Sequence, residues 1–227
     1  MQDMRTAVDP DGLLEYSVVF TDRSLNHMSA AFQGVMRDIS ATLTKVYGAD
    51  CMAIVPGGGT FGMEAVARQL GTGKNCLVLR NGWFSYRWSQ IFEAGGIPAN
   101  ESVLKARQVS GDNQAAFEPA PIAEVVQHIR DTKPDVVFAP HVETSAGLML
   151  PDDYIRQVGA AVREVGGLFV LDCIASGTVW VDMADCNVDV LISAPQKGWS
   201  SSPCGALVMM NSRAREVVAN SKSTSFA

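Results

Sequence analysis

"CMAIVPGGGTFGMEAVARQL", residues 51–70, decides how the chain is read. An apolar run too short for a helix meets three glycines, and the glycines open a segment of helical period from about Thr60 to Leu70. The pattern of apolar run, loop and helix then recurs. "NCLVL" (75–79) precedes a helix from about Phe84 to Ala94, and a weaker strand "SVL" (102–104) follows. A helix from about Pro121 to Arg130 leads to "DVVFA" (135–139), and one from about Asp152 to Val165 leads to "LFVLD" (168–172). "VDVLI" (188–192) and "GALVMM" (205–210) close the series at seven strands. Upstream, helical spacing runs through "NHMSAAFQGVMRDISATLTKVYG" (26–48), with Met28, Ala31, Phe32, Val35, Met36, Ile39, Leu43 and Val46 on one face.

Strands that read as unbroken apolar runs separated by helices predict an α/β fold, a three-layer arrangement around a mostly parallel seven-stranded sheet. The last two strands are joined without helical period, which allows one of them to run antiparallel. In such sheets ligands gather outside the carboxyl ends of the strands. No internal repeat competes with this reading.

Composition narrows the function. At 227 residues and 47% hydrophobic content the chain can bury a sizeable core. A net charge of -6 with no basic run argues against nucleic acid or an anionic membrane as partner. The three histidines are scattered, so no metal is expected. The five cysteines, Cys51, Cys76, Cys173, Cys186 and Cys204, are odd in number and lack CxxC spacing, which suits a reducing cytoplasm. No apolar stretch approaches the roughly 20 residues that span a bilayer.

The strand ends carry the chemistry. After "CMAIV", Gly57, Gly58 and Gly59 allow close backbone approach and Thr60 offers a hydroxyl at a helix start, as in a phosphate cradle. Gly57, Gly59 and Gly62 also satisfy the dinucleotide pattern G-x-G-x-x-G, and a plain glycine turn is a third reading. No Gly-Lys-Ser/Thr follows, which excludes a Walker loop. After "NCLVL", Trp83 and Phe84 open a helix where an aromatic either stacks on a flat ring or packs beneath the loop. "PHVETSAG" (140–147) supplies His141, Glu143, Thr144 and Ser145, with His141 read as a structural hydrogen-bonding residue. Asp172 ends "LFVL" as a buried carboxylate that needs a donor or cation, or else caps a turn. Lys197, in "SAPQKG" (193–198), is either a surface lysine or an amine whose partial enclosure favours its neutral, nucleophilic form.

A phosphate loop, an aromatic platform, a hydroxyl, a buried acid and an amine at one sheet edge together fit one molecule, pyridoxal 5'-phosphate. Its aldehyde takes the lysine, its ring nitrogen the acid and its phosphate the cradle.

The ordered motifs "PGGGTFGMEAV", "RNGWFSYRW", "HVETSAGLMLP", "VLDCIAS" and "SAPQKG" resemble the class V aminotransferases of fold type I, especially the alanine-glyoxylate and serine-pyruvate branch. The resemblance covers most of the chain from about Asp22. It implies that Gly58, Gly59, Thr60 and Gln196 hold the phosphate, Phe84 stacks on the ring, and Thr144 contacts it. It further implies that Asp172 partners the ring nitrogen and that Lys197 is the covalent attachment point, Lys197 and Asp172 being the catalytic pair. It implies amino-group transfer from a small amino acid, of alanine or serine type, to a 2-oxo acid such as glyoxylate or pyruvate, in a cytoplasmic homodimer.

Residues 1–25 form an N-terminal segment in this reading and 26–227 the cofactor-binding large domain, with relatives continuing past "STSFA" into a small domain. The opening "DPDGLLEYSVVFTDRS" departs from the family's Gly-Pro-Thr type segment. The carboxylate-gripping arginine of relatives lies on their small domain, so this chain alone is expected to be a poor aminotransferase. Arg213 and Arg215 are expected to face solvent rather than replace it. The competing readings are a pyridoxal-phosphate lyase or cysteine desulfurase, for which Cys204 on a Pro-Cys-Gly turn is a poor mobile thiolate, a Rossmann nucleotide module, and a catalytically inert homologue.

Overall fold

The computed structural model describes residues 30–222. Met28, the opening "DPDGLLEYSVVFTDRS", the expected boundary at residue 25 and the terminal "STSFA" lie outside the described residues. The chain parts into two units, Met1–Ile39 and Ser40–Ala227, and everything that follows on the site concerns the second. The first helix, α1 (Ala30–Tyr47), crosses the division. Its expected apolar face is corrected in part: Leu43 is buried, but Val35 and Met36 are exposed, and Tyr47 is buried instead.

Seven strands make the main sheet: β1 (Cys51–Pro56), β2 (Asn75–Arg80), β3 (Asn100–Lys105), β6 (Val136–Pro140), β9 (Leu168–Asp172), β10 (Val190–Ser193) and β11 (Gly205–Met210). Their spatial order is β1-β11-β10-β9-β6-β2-β3. Pairs from β10 across to β3 are parallel, whereas β11 runs antiparallel to both β10 and β1. β11, which follows β10 after the short helix-free segment 194–204, is the strand that reverses, whereas the longer connection 173–189 returns the chain to lay β10 parallel to β9 without a helix.

The helices are α2 (Gly59–Gly71), α3 (Trp83–Gly95), α4 (Ile122–Thr132), α5 (Asp152–Glu164) and α6 (Ser212–Ala219). Strand residues alternate between two buried faces. Cys76, Val78, Phe138, Val170, Ile192 and Val208 share one core with Met63, Val66 and Leu70 of α2 and with Trp88 and Phe92 of α3. The intervening Leu77, Val137, Phe169, Leu171 and Leu191 are equally buried, with α5 packed on β9 and α4 packed on α5. This two-sided burial is why the strands read as continuous apolar runs.

Two small ladders had no counterpart in the apolar pattern. β4 (Arg107–Gln108) pairs with β5 (Phe117–Glu118), and β7 (Val142–Glu143) pairs with β8 (Leu148–Met149) around a 3-10 turn, Thr144–Ala146. "VDVLI" is shifted by two residues, since Asp189 lies below β10 as a buried carboxylate. It accepts from Phe169 N (2.8 Å), Asn211 Nδ2 (2.8 Å) and Arg213 Nη1 (2.9 Å). Arg213 thus does not face solvent as expected, because a buried carboxylate demands a cation.

Gly62 lets α2 lie against β11, for a Cβ there would overlap the Cβ of Ala206. Gly62→Ala is expected to lower unfolding stability by about 1–3 kcal/mol through overpacking. Urea denaturation checks this; an unchanged midpoint would show that the α2–β11 contact has slack.

Candidate active site

The carboxyl ends of β2, β6, β9 and β10 and the loop leaving β1 surround one cavity of about 140 Å3, whose wall includes Gly59, Thr60, Phe84, Thr144, Asp172, Gln196 and Lys197. Seven of the residues singled out from sequence therefore meet. Gly58 stands just behind them as the residue preceding α2.

Gly58 has no side chain to cap α2, so the first amides of that helix face outward with its positive dipole end. Gly59 is required by packing, since a Cβ there would lie 2.6 Å from Ile174 Cδ1. Gly57, at φ +117°, makes the turn into the loop and does not reach the cavity wall.

The platform is placed by a carboxylate. Glu143, fully buried, accepts from Phe84 N (3.0 Å), Ser85 N (2.9 Å), Ser85 Oγ (2.6 Å) and Ser145 Oγ (2.6 Å). Ser145 Oγ also accepts from Trp83 N (2.8 Å). Glu143 thus caps α3 from a different strand end, and Gly82 permits the approach because a Cβ there would lie 2.7 Å from Glu143 Cγ. Burial pushes the Glu143 carboxyl up, but the donors from Ser145, Ser85 and Phe84 outweigh it and hold the pKa below the ordinary value. Of the two aromatics, Phe84 reaches the cavity, whereas Trp83 is exposed and packs beside Tyr86. Glu143 was visible in the sequence only as one polar residue of a loop, because its partners lie some sixty positions away.

Asp172 is buried with one amide for company, Ile174 N at 2.9 Å from Oδ1. Burial raises its pKa to about 6; the Ile174 amide opposes this, Glu143 adds to it, and Arg87 draws it down. His141 is buried beneath, its Nδ1 2.7 Å from Ser176 Oγ and its amide on Asp172 O, which is the expected structural role. Its pKa is lowered by burial.

Lys197 stands on a turn at the cavity mouth and is exposed, which corrects the expected enclosure. The turn is clamped by its neighbours. Gly198 lies against the backbone of Gly177, where no Cβ fits, and Ser200 takes φ +49°. Trp199 stacks with Trp180 (4.9 Å) and Tyr47 (6.3 Å) and donates from Nε1 to Tyr47 Oη (3.3 Å).

Arg87 joins the wall although the sequence reading had not singled it out; its i+3 spacing from Phe84 on α3 was the available signal. The residues suit pyridoxal phosphate: outward amides at a helix start, a buried acid, an aromatic, and the side chain of Gln196 on the cavity wall. Among those residues no cluster of three or more His, Cys, Asp or Glu could hold a metal, and no helix is long and apolar enough to cross a membrane.

The sequence model of the family described as "Aminotransferase class-V" matches residues 13–221. The chain is similar to the L-aspartate–glyoxylate aminotransferase of Paracoccus denitrificans, 29% identical over 96% of this chain and 51% of that protein. It is 32% identical to a 2-aminoethylphosphonate–pyruvate transaminase of Paraburkholderia xenovorans, over 83% of this chain and 49% of the other. The crystal structure of the ureidoglycine-glyoxylate aminotransferase of Bacillus subtilis superposes with a TM-score of 0.77 at 25% identity, over 92% of this chain and 52% of that one. The chain thus spans about half the length of the relatives it matches.

The raised Asp172 pKa has a sign that can be checked. In the unfolded chain the carboxyl titrates near its ordinary value of about 3.9; in the ligand-free fold it titrates at about 6. Its contribution is favourable below the unfolded value and is lost as pH rises through the folded one, so the ionised carboxylate is a cost at neutral pH. Asp172→Asn is expected to stabilise the ligand-free chain by about 1–3 kcal/mol at pH 8, with the gap closing toward pH 4. Urea midpoints at the two pH values decide it, and a variant less stable at both would refute it.

Proposed function

Since the chain belongs to the class-V aminotransferase family, we propose that it forms the cofactor-holding part of an enzyme that moves an amino group from a small amino acid, of alanine or serine type, to glyoxylate or pyruvate. The cofactor that membership implies is pyridoxal 5'-phosphate. The observation that carries the reading is the single cavity that gathers Asp172, Phe84, Thr60, Thr144, Gln196 and Lys197 at one sheet edge. The relatives' names support the acceptor more narrowly than the donor, pairing glyoxylate or pyruvate with aspartate, 2-aminoethylphosphonate or ureidoglycine.

When bound, pyridoxal phosphate supplies an aldehyde that links to amines and a protonated ring that withdraws electrons from the substrate's α-carbon. The residues of this chain do the rest. The α2 amides, Thr60 and Gln196 would hold the phosphate, Phe84 would cover a face of the ring, and Thr144 would offer it a hydroxyl. Asp172 keeps the ring nitrogen protonated, and the resulting cation in turn answers the burial of its carboxylate. Lys197 would hold the cofactor through its amine, and that same amine, when free, would take a proton from the substrate's α-carbon as general base and give it back as general acid.

Among the described residues no thiol suits the mobile thiolate of a desulfurase-like reading. Burial raises the thiols of Cys51, Cys76 (to about 12), Cys173 and Cys186 (to about 11), and exposed Cys204 lies outside the cavity wall. The reading extends to a cytoplasmic homodimer in which residues 26–227 are the large domain. Exposed aromatics such as Trp83 and Trp180 support an apolar partner surface.

Borohydride reduction of the protein with pyridoxal phosphate, followed by peptide mapping, tests the attachment point. The label is expected on Lys197 and should vanish in Lys197→Ala; a label on another lysine would overturn the assignment. For the reaction itself, in a longer and active form of the protein, turnover with alanine or serine and glyoxylate or pyruvate is expected to fall about a hundredfold or more in Asp172→Asn. Near-normal turnover would remove Asp172 from its role.

A further inference from the structure

Arg87 occupies an unusual place for a cation. Arg80 on the neighbouring strand end lies 3.9 Å from Glu101, and Arg213 is paired with Asp189, but Arg87 enters no ion pair among the described residues. It is half-buried on α3, one turn beyond Phe84, and its guanidinium carbon lies 5.7 Å from the Phe84 ring centroid. Its Nη1 donates to Thr60 Oγ1 at 2.7 Å, joining the second residue of α2 to the platform helix across the cavity that both line.

We propose that Arg87 is a further cofactor-site residue, which through the Thr60 hydroxyl sets how tightly a phosphate group is held at the start of α2. The proposal rests on reading the cavity as a pyridoxal-phosphate site. A hydroxyl has one proton to give and two lone pairs. With a lone pair committed to a guanidinium, the Thr60 hydroxyl keeps its proton for an anion, and accepting from a cation makes it a stronger donor. The uncapped α2 start supplies the anion-binding amides to which that donor adds. The guanidinium adds unpaired positive charge where the phosphate's negative charge would come to rest. The same charge also opposes the cost of burying Asp172. One side chain therefore acts on both ends of the cofactor slot.

The test compares two probes, pyridoxal phosphate and phosphate-free pyridoxal, titrated against the chain by calorimetry, with inorganic phosphate as competitor. Arg87→Met and Thr60→Val are each expected to weaken pyridoxal phosphate about 10- to 100-fold, the range of a hydrogen bond to a charged group. Pyridoxal should weaken clearly less, because the Thr60 hydroxyl acts on the phosphate end and Arg87 reaches the ring end only through its charge on Asp172. Inorganic phosphate should compete less well against the variants. Thr60→Ser, which keeps the hydroxyl, should bind as the parent does, and the double variant should lose less than the two single losses combined. Arg87→Lys keeps a cation and guards against a variant that fails to fold, with thermal melting of the ligand-free chain as the check.

Equal losses for both probes, strictly additive single variants, or unchanged affinity would each overturn the role of Arg87. A parent chain that binds both probes while the variants match it defeats this inference alone. A parent that binds neither probe defeats the proposed function and this inference with it.

Discussion

A buried carboxylate tying two strand ends together is the interaction on which the site's shape depends. Glu143 leaves β6 through the short β7 ladder and closes on the first amides of α3, which begins after β2. It is held by hydroxyls on both sides, from Ser85 and Ser145, so that its charge is fully answered without a cation. Phe84 and Thr144 are sequence neighbours of the two ends of this clasp, and their distance across the cavity follows from it. Without Glu143, the α3 start would lose its three bonds from Phe84 and Ser85 and keep the Trp83 amide on Ser145 Oγ as its tie to the Thr144 turn.

Two buried carboxylates stand close together and are treated in opposite ways. Glu143 has four strong donors and is pinned in the charged state, whereas Asp172 has one amide and titrates at about 6. The contrast separates architecture from chemistry. A satisfied carboxylate stabilises the fold whether or not a ligand is present, while an unsatisfied one stores a cost that a cationic ring nitrogen would relieve. Arg87 moderates that cost from the far side of the slot and ties the phosphate end to the platform helix.

The lysine turn is handled differently again. No buried charge fixes it; packing does, through the tight approach of Gly198 to Gly177 and the Tyr47, Trp180 and Trp199 cluster. The turn so packed leaves the Lys197 amine exposed at the cavity wall.

The fold was legible in the sequence because burial on both faces turns each central strand into an unbroken apolar run, and the glycines at residues 57–59 mark where one such run enters a helix. "LFVLD" was read to the residue, since Asp172 ends the run abruptly; Gly59, Thr60, Phe84, Thr144 and Lys197 were singled out because they lie in the loops after such strands, and Gln196 through the family resemblance alone, and all line one cavity. What the local pattern could not carry was pairing over distance. Glu143 meets α3 across fifty-eight and fifty-nine positions, Arg87 meets Thr60 across twenty-seven, and Arg213 turns inward only because Asp189 is buried twenty-four residues away. Hydrophobic period and strand-end position are properties of a segment by itself, so the amino-acid sequence alone determined the layers and the edge where the chemistry lies. Which charge answers which is a property of two segments brought together, and only the tertiary structure decided it.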